Sequence, residues 1–285
     1  MKIRENVMKY VFFLAALVSV AAVLLICIFL FANGVPAMAK IGVFDFLLGK
    51  EWKPSDIPPL FGILPMILGS VYVTAGALIL GVPIGLLTAV YMSRYCPKKI
   101  YGFLRMAVDL LAGIPSVVYG FFGIIILVPF VRNTFGGNGI SILTACILLG
   151  IMILPTIISV SESAINAVSS NYYEGALALG ATKESSIFKV VLPAAKSGIL
   201  AGVVLGIGRA IGETMAVLMV VGNQARMPKG ILQGVRTLTT NIVAEMGYAA
   251  DLHREALIAT GVVLFVFVLI INVIFSIIKN GGKNR

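Results

Sequence analysis

Apolar residues in this chain run on without interruption instead of alternating or recurring on one helical face. Six stretches, about 10–32, 63–92, 107–131, 140–160, 199–221 and 256–278, carry almost no charge. A bilayer core of about 30 Å takes about 20 helical residues. Backbone inside lipid must satisfy its own hydrogen bonds, which selects helices over irregular chain. The pattern therefore predicts an all-α integral membrane protein with six spans. Positions 57–93 hold no charge at all. Pro58, Pro59 and Pro65 predict a separate lead-in before the second span, because proline removes a donor and restricts the residue before it.

Composition agrees. Of 285 residues, 59% are hydrophobic and 12% charged, about half the charge of a soluble domain. So little charge cannot coat a water-facing surface, and a water-soluble enzyme is excluded. The net charge of +10 would suggest nucleic acid in a soluble protein. Here it lies in short connections between apolar runs, where the excess of Lys and Arg on the cytoplasmic side explains it. With the N-terminus inside, thirteen Lys and Arg fall in inner segments and eight in outer ones. Both termini are therefore expected in the cytoplasm. The first run follows Lys2, Arg4 and Lys9 and, at 23 residues, exceeds a signal-peptide core of about 7–15. It reads as a retained first helix. Cys27, Cys96 and Cys146 show no CxxC spacing and His253 is the single histidine, so neither a disulfide framework nor a metal site is indicated.

The chain divides into a first helix with an external loop (1–59) and a membrane domain (60–285). Within the latter, the inner connection 161–198 has 38 residues and is rich in helix formers. It reads as a folded element, with Leu192-Pro193 ending its second helical piece. Asp109 is expected at the inner interface paired with a loop cation. Glu162 is expected to be solvated or capping. Asp251, His253, Arg254 and Glu255 are expected on a solvated face, and Tyr10, Tyr91 and Tyr248 as interface anchors.

Candidate chemistry is sparse. No G-x-x-x-x-G-K-[ST] sequence occurs, so the chain has no P-loop for ATP. The fifth run contains Gly208-Arg209-Ala210-Ile211-Gly212-Glu213-Thr214. Arg209 and Glu213 are four residues apart and share a helix face. A charge at the membrane centre costs at least about 2.5–3.5 kcal/mol, which makes a functional site the default reading. The planar guanidinium suits a tetrahedral oxyanion through paired hydrogen bonds. Glu213 would hold Arg209 neutralised until substrate arrives. A structural ion pair between helices is the other reading.

Two sets of residues carry a resemblance. Glu174-Gly175-Ala176, Gly180, Val190 and Leu192-Pro193 keep the spacing E-A-A-x3-G-x9-I-x-L-P and resemble the coupling loop of bacterial ABC importer permeases. By itself this segment also reads as an amphipathic helix on the inner leaflet. Leu111 to Gly120, with Gly208 to Val217, resembles the phosphate-specific members of that family, of the PstC type, over about residues 60–275. The resemblance implies a type I ABC importer fold in which Glu174, Gly175, Ala176, Gly180, Lys183, Glu184, Leu192 and Pro193 serve the contact with an ATPase. It implies that Arg209, Glu213 and Thr214 line the substrate pathway. It further implies inward phosphate transport, a PstA-like second permease, two PstB-like ATP-binding subunits and an external PstS-like binding protein. ATP and Mg belong to the ATPase chain; this chain would hold no cofactor and catalyse nothing. Other oxyanions such as molybdate or sulfate, and an ATP-independent carrier, are the alternatives.

Overall fold

The computed structural model describes the backbone of residues 2–281, with side chains described for residue 5 and for 7–277. Of the charges counted for orientation, Lys283 and Arg285 lie outside the described residues, as do the side chains of Lys2, Arg4 and Lys279.

Thirteen α-helices are described. In order they are α1 (Lys2–Ile41), α2 (Val43–Leu48), α3 (Leu64–Val90), α4 (Lys98–Gly113), α5 (Ser116–Phe122), α6 (Val128–Phe135) and α7 (Ile142–Asn166), followed by α8 (Ser170–Ala178), α9 (Lys183–Ser186), α10 (Leu192–Gly212), α11 (Met215–Val220), α12 (Leu238–Glu245) and α13 (Asp251–Gly281). A two-residue antiparallel hairpin, β1 (Trp52–Lys53) with β2 (Leu60–Phe61), sits in the loop between α2 and α3. Six helical stretches are long and apolar enough to cross a membrane: Val7–Ile41, Leu64–Tyr95, Ser116–Phe135, Ile142–Asn166, Lys183–Gly212 and Asp251–Ile277. The molecule is a multi-pass membrane protein.

Span number follows the apolar runs, but three boundaries do not. The third span starts at Ser116, because Pro115 drives Ile114 into extended backbone (φ −69°, ψ 127°) and separates α4 from α5. Residues 107–113 therefore belong to amphipathic α4, which starts at Lys98. The fourth span runs on to Asn166 and the fifth starts at Lys183, so the inner connection is shorter than 161–198. Leu192-Pro193 does not end a helix. A π-helical turn, Ile187–Val191, joins α9 to α10 and places Pro193 in the first turn of α10.

The core forms around α7, which lies between α3 and α10. Leu148, Leu149, Met152, Ile153 and Ile157 are at most 1% exposed. Membrane helices gain little from the hydrophobic effect between themselves and rely on close packing at small residues. Gly81 and Gly85 of α3, and Gly202 and Gly206 of α10, supply it. A Cβ at these positions would fall 2.8–3.2 Å from Ile153, Ile157 or Val160. On the far side α1 packs along α13, with Phe31 and Phe265 edge to face at 5.8 Å and Gly34 against Val262 and Ala259. Elsewhere on α1, Phe12, Phe13, Leu25 and Ile26 are exposed and face lipid.

Candidate functional site

The fifth span stops at Gly212. Glu213 adopts extended backbone (φ −70°, ψ 126°), and its Oε1 accepts hydrogen bonds from the N–H groups of Thr214 and Ala216, each at 3.1 Å. A carboxylate at that place satisfies the orphan donors of a new helix and complements its dipole, so the chain restarts as α11 rather than continuing α10. The Thr214 hydroxyl donates to the Gly212 carbonyl at 3.2 Å, and the Thr239 hydroxyl to the Glu213 carbonyl at 3.3 Å.

This corrects the expectation for Arg209 and Glu213. They do not share a helix face, because the helix ends between them, and Glu213 is committed to backbone amides. Arg209 is half-buried in the last turn of α10. Among the described residues it belongs to none of the ion pairs, which join Lys40–Glu255, Lys53–Glu51, Arg105–Asp109, Arg105–Glu162, Arg236–Glu245 and His253–Glu245. The guanidinium is free of an internal counter-ion.

A second break lies beside the first. The Tyr119 hydroxyl of α5 donates to the Leu111 carbonyl of α4 at 2.8 Å, across the gap at Ile114-Pro115. α5 rests on α11: a Cβ at Gly120 would meet Met219 Sδ at 2.5 Å and Ala216 Cα at 3.1 Å. Two interrupted helices are thus stacked with one unpaired cation at the junction. Discontinuous helices at membrane depth are tolerated where they line a cavity or a binding site. Arg209, Glu213 and Thr214 all belong to this junction, Arg209 as an available donor and the other two as the parts that shape the break.

The candidate coupling residues form a separate group. α8 buries no residue; Glu174, Gly175, Lys183, Glu184 and Pro193 are exposed, while Ala176 and Leu192 are partly covered. Gly180 explains why the spacing carries a glycine. It takes the left-handed conformation (φ 87°), with Gly180 N–H donating to Leu177 O at 2.9 Å and Ala181 N–H to Ala176 O at 3.1 Å, the paired bonds of a glycine helix stop. Thr182 then caps α9 by accepting from Ser185 N–H at 3.2 Å. The Lys183 ammonium lies 4.6 Å from the Tyr95 ring centroid, so this lysine fastens the loop to the end of the second span.

Two clusters were not anticipated. In the first, Glu162 is 2% exposed, not solvated. It accepts from Tyr101 Oη at 2.7 Å and Arg105 Nη1 at 3.1 Å. Arg105 also holds Asp109 at 3.2 Å, which gives Asp109 the cation partner expected of it. The Tyr101 phenol is pushed up from its ordinary range, first by this bond to Glu162 and then by burial. The helical period carried a signal for Glu162, since Ile158 and Ile165 share its face and are both buried. In the second, Glu245 is 6% exposed and accepts from Trp52 Nε1 at 2.8 Å, bonds His253 Nε2 at 2.8 Å, and pairs with Arg236. Burial acts to raise the Glu245 carboxyl, but the hydrogen bonds from Trp52, His253 and Arg236 outweigh it and hold it below its ordinary value. His253 therefore faces Glu245 and the buried rings of Trp52 and Phe61 at 6.0 and 6.4 Å, with the exposed Tyr248 ring 6.0 Å away. Glu255 pairs with Lys40 at 2.6 Å.

Residues 81–281 match the family model described as "Binding-protein-dependent transport system inner membrane component". The chain belongs to that family. This permease is 39% identical over 270 residues to a probable ABC transporter permease protein, YqgH, of Bacillus subtilis, covering 92% of this chain and 87% of the relative. It is 36% identical over 267 residues to the phosphate transport system permease protein PstC of Mesorhizobium japonicum, covering 86% and 81%. Among solved structures, a chain of a bacterial alginate ABC transporter bound to its periplasmic protein superposes with a TM-score of 0.65 at 16% identity, over 92% of each chain. The inward-facing MetNI methionine transporter gives 0.58 at 20% identity, over 78% of the permease and 94% of that chain. These likenesses establish the ABC importer permease fold.

Proposed function

We propose that this permease moves inorganic phosphate into the cell as the membrane-spanning part of an ATP-driven importer. The observation that carries the reading is Arg209: a guanidinium within a membrane span, without an internal carboxylate, at the junction of two broken helices. Leaving such a charge unpaired costs at least about 2.5–3.5 kcal/mol, and a passing oxyanion that accepts two parallel hydrogen bonds supplies the missing partner. The names of relatives such as the Mesorhizobium protein make phosphate the first oxyanion to test.

The reading assigns the rest of the machine to other chains. A PstS-like protein delivers the anion from outside. A PstA-like permease completes the pathway. Two PstB-like subunits bind ATP and Mg2+, hydrolyse the nucleotide and grip exposed α8 through Glu174 and its neighbours. Both termini lie in the cytoplasm of the bacterial cell, the side on which α8 meets the ATPase. Substrate enters and leaves unchanged, so this chain performs no bond chemistry.

The test is radiolabelled phosphate uptake by cells expressing the complete importer with wild-type chain, Arg209→Gln or Arg209→Lys, at matched membrane abundance. Loss of uptake by at least about tenfold in Arg209→Gln, equivalent to about 1.4 kcal/mol, with partial retention in Arg209→Lys, supports the reading. Uptake by Arg209→Gln equal to wild type overturns it. Retention of the ATPase subunit during purification is expected for the wild type and is weakened by Glu174→Lys.

A further inference from the structure

Glu245 closes α12 with a carboxylate at the end where the helix dipole disfavours one. Its donors come from separate parts of the chain: Trp52 from the β1–β2 hairpin, His253 from α13, and Arg236 from the segment leading into α12. Arg236 in turn donates through Nε to the Asn223 carbonyl at 3.1 Å and through Nη1 to Asn241 Oδ1 at 3.0 Å. The hairpin precedes residues 81–281, the part that matches the family model.

The other end of α12 reaches the candidate site. Thr237 caps the helix, accepting from Thr240 N–H at 3.2 Å. Leu238 N–H donates to Ser70 Oγ of α3 at 2.9 Å. Thr239 Oγ1 donates to the carbonyl of Glu213, where α10 breaks. That carbonyl belongs to the residue just past the end of α10. An eight-residue helix, about 12 Å long, therefore spans from the Glu245 cluster to the break beside Arg209, held by polar contacts at both ends. Gly69 allows this approach, since a Cβ there would stand 2.3 Å from the Arg236 carbonyl oxygen.

We infer that Glu245 is a positioning residue for the translocation site: through α12 it holds the Thr239 hydroxyl on the Glu213 carbonyl and so fixes the break next to Arg209. The importance of this for transport rests on the phosphate-importer reading; the geometric link does not. A carboxylate is required because donors converge on it. Glutamine has the same shape but turns an NH2 group toward one of them, leaving that donor unpaired.

Two measurements on the full-length chain in its importer complex test the inference. The first is hydrogen–deuterium exchange of the peptide containing residues 214–217, whose amides at Thr214 and Ala216 bond to Glu213. Exchange is expected to quicken about 3–10-fold in Glu245→Gln and in Thr239→Val, and to stay slow in Thr239→Ser, which keeps the hydroxyl. Trp52→Phe removes one donor while keeping a ring and is expected to act in the same direction, so the link is still read if Glu245→Gln folds poorly. The second is phosphate uptake in a double-mutant cycle. If Glu245 acts through Thr239, the double variant loses no more than the worse single variant. Unchanged exchange in Glu245→Gln and Trp52→Phe, or losses that multiply, overturns the inference. Absence of phosphate uptake by wild type would instead sink the substrate assignment, and the exchange measurement would still decide the link.

Discussion

Tyr119 and Leu111 hold the two halves of a broken helix together. The phenol hydroxyl at the start of the third span donates to a carbonyl in the last turn of α4, 2.8 Å away and on the other side of Ile114-Pro115. The bond supplies a partner to a helix-end carbonyl that the break orphaned. It keeps α5 seated on α11, and so keeps the two breaks in register around Arg209.

Tyr119→Phe removes that donor and nothing else. A carbonyl poor in water is left unpaired, which costs about 1–3 kcal/mol. The variant is expected to unfold at lower temperature than wild type in the same detergent, and to transport more slowly at equal membrane abundance. Thermal unfolding followed by intrinsic fluorescence checks the first, and uptake the second.

Glu213 separates a capping role from a charge-pair role. Its Oε1 bonds two amides and Arg209 is not its partner. Glu213→Gln keeps an acceptor and is expected to change stability by less than about 1 kcal/mol. Glu213→Ala loses the cap and is expected to cost about 0.5–2 kcal/mol. Equal destabilisation by the two in thermal unfolding would show that charge, not the cap, matters there.

Glu162 fastens α4 to α7. Glu162→Ala strips Tyr101 of its acceptor and leaves Arg105 with Asp109 alone. Arg105 is partly exposed, so water recovers some of the loss, and the expected cost is about 1–3 kcal/mol. Limited proteolysis is expected to cut near residues 97–100 faster in the variant than in wild type.

Glu245 predicts a dependence on acid. Its folded carboxyl lies below the ordinary 4.5, so the folded chain binds that proton less readily than the unfolded chain. The resulting stability is fully present above about pH 4.5 and is lost as pH falls through the folded value. Thermal stability is expected to fall more steeply for wild type than for Glu245→Gln between about pH 5 and about pH 3.5. Parallel curves would refute it.

Six spans, the missing P-loop and the exposed helical segment around α8 were legible in the chain itself, because they depend on runs and spacings of neighbouring residues. Gly180 belongs with them: only a residue without a Cβ takes its left-handed turn at little cost, and the motif spacing marks it. Glu162 was legible in part, since the helical period put it between buried isoleucines. Arg209 stood out as a charge in an apolar run, but its lack of a carboxylate partner among the described residues did not. Sequence spacing pointed to Glu213, four residues on, and that inference held only while the helix was assumed continuous.

What the sequence determined by itself is the solvent: so much apolar surface and so little charge put this chain in a bilayer as helices. Only the tertiary structure decided where two helices stop, which carboxylates are buried, and that Trp52, Arg236 and His253 meet at Glu245. Lipid exposure is summed over neighbours along the chain, so it survives in composition. A helix break and a buried ion cluster depend on donors contributed from up to 193 residues away, and no local pattern records which of them will arrive.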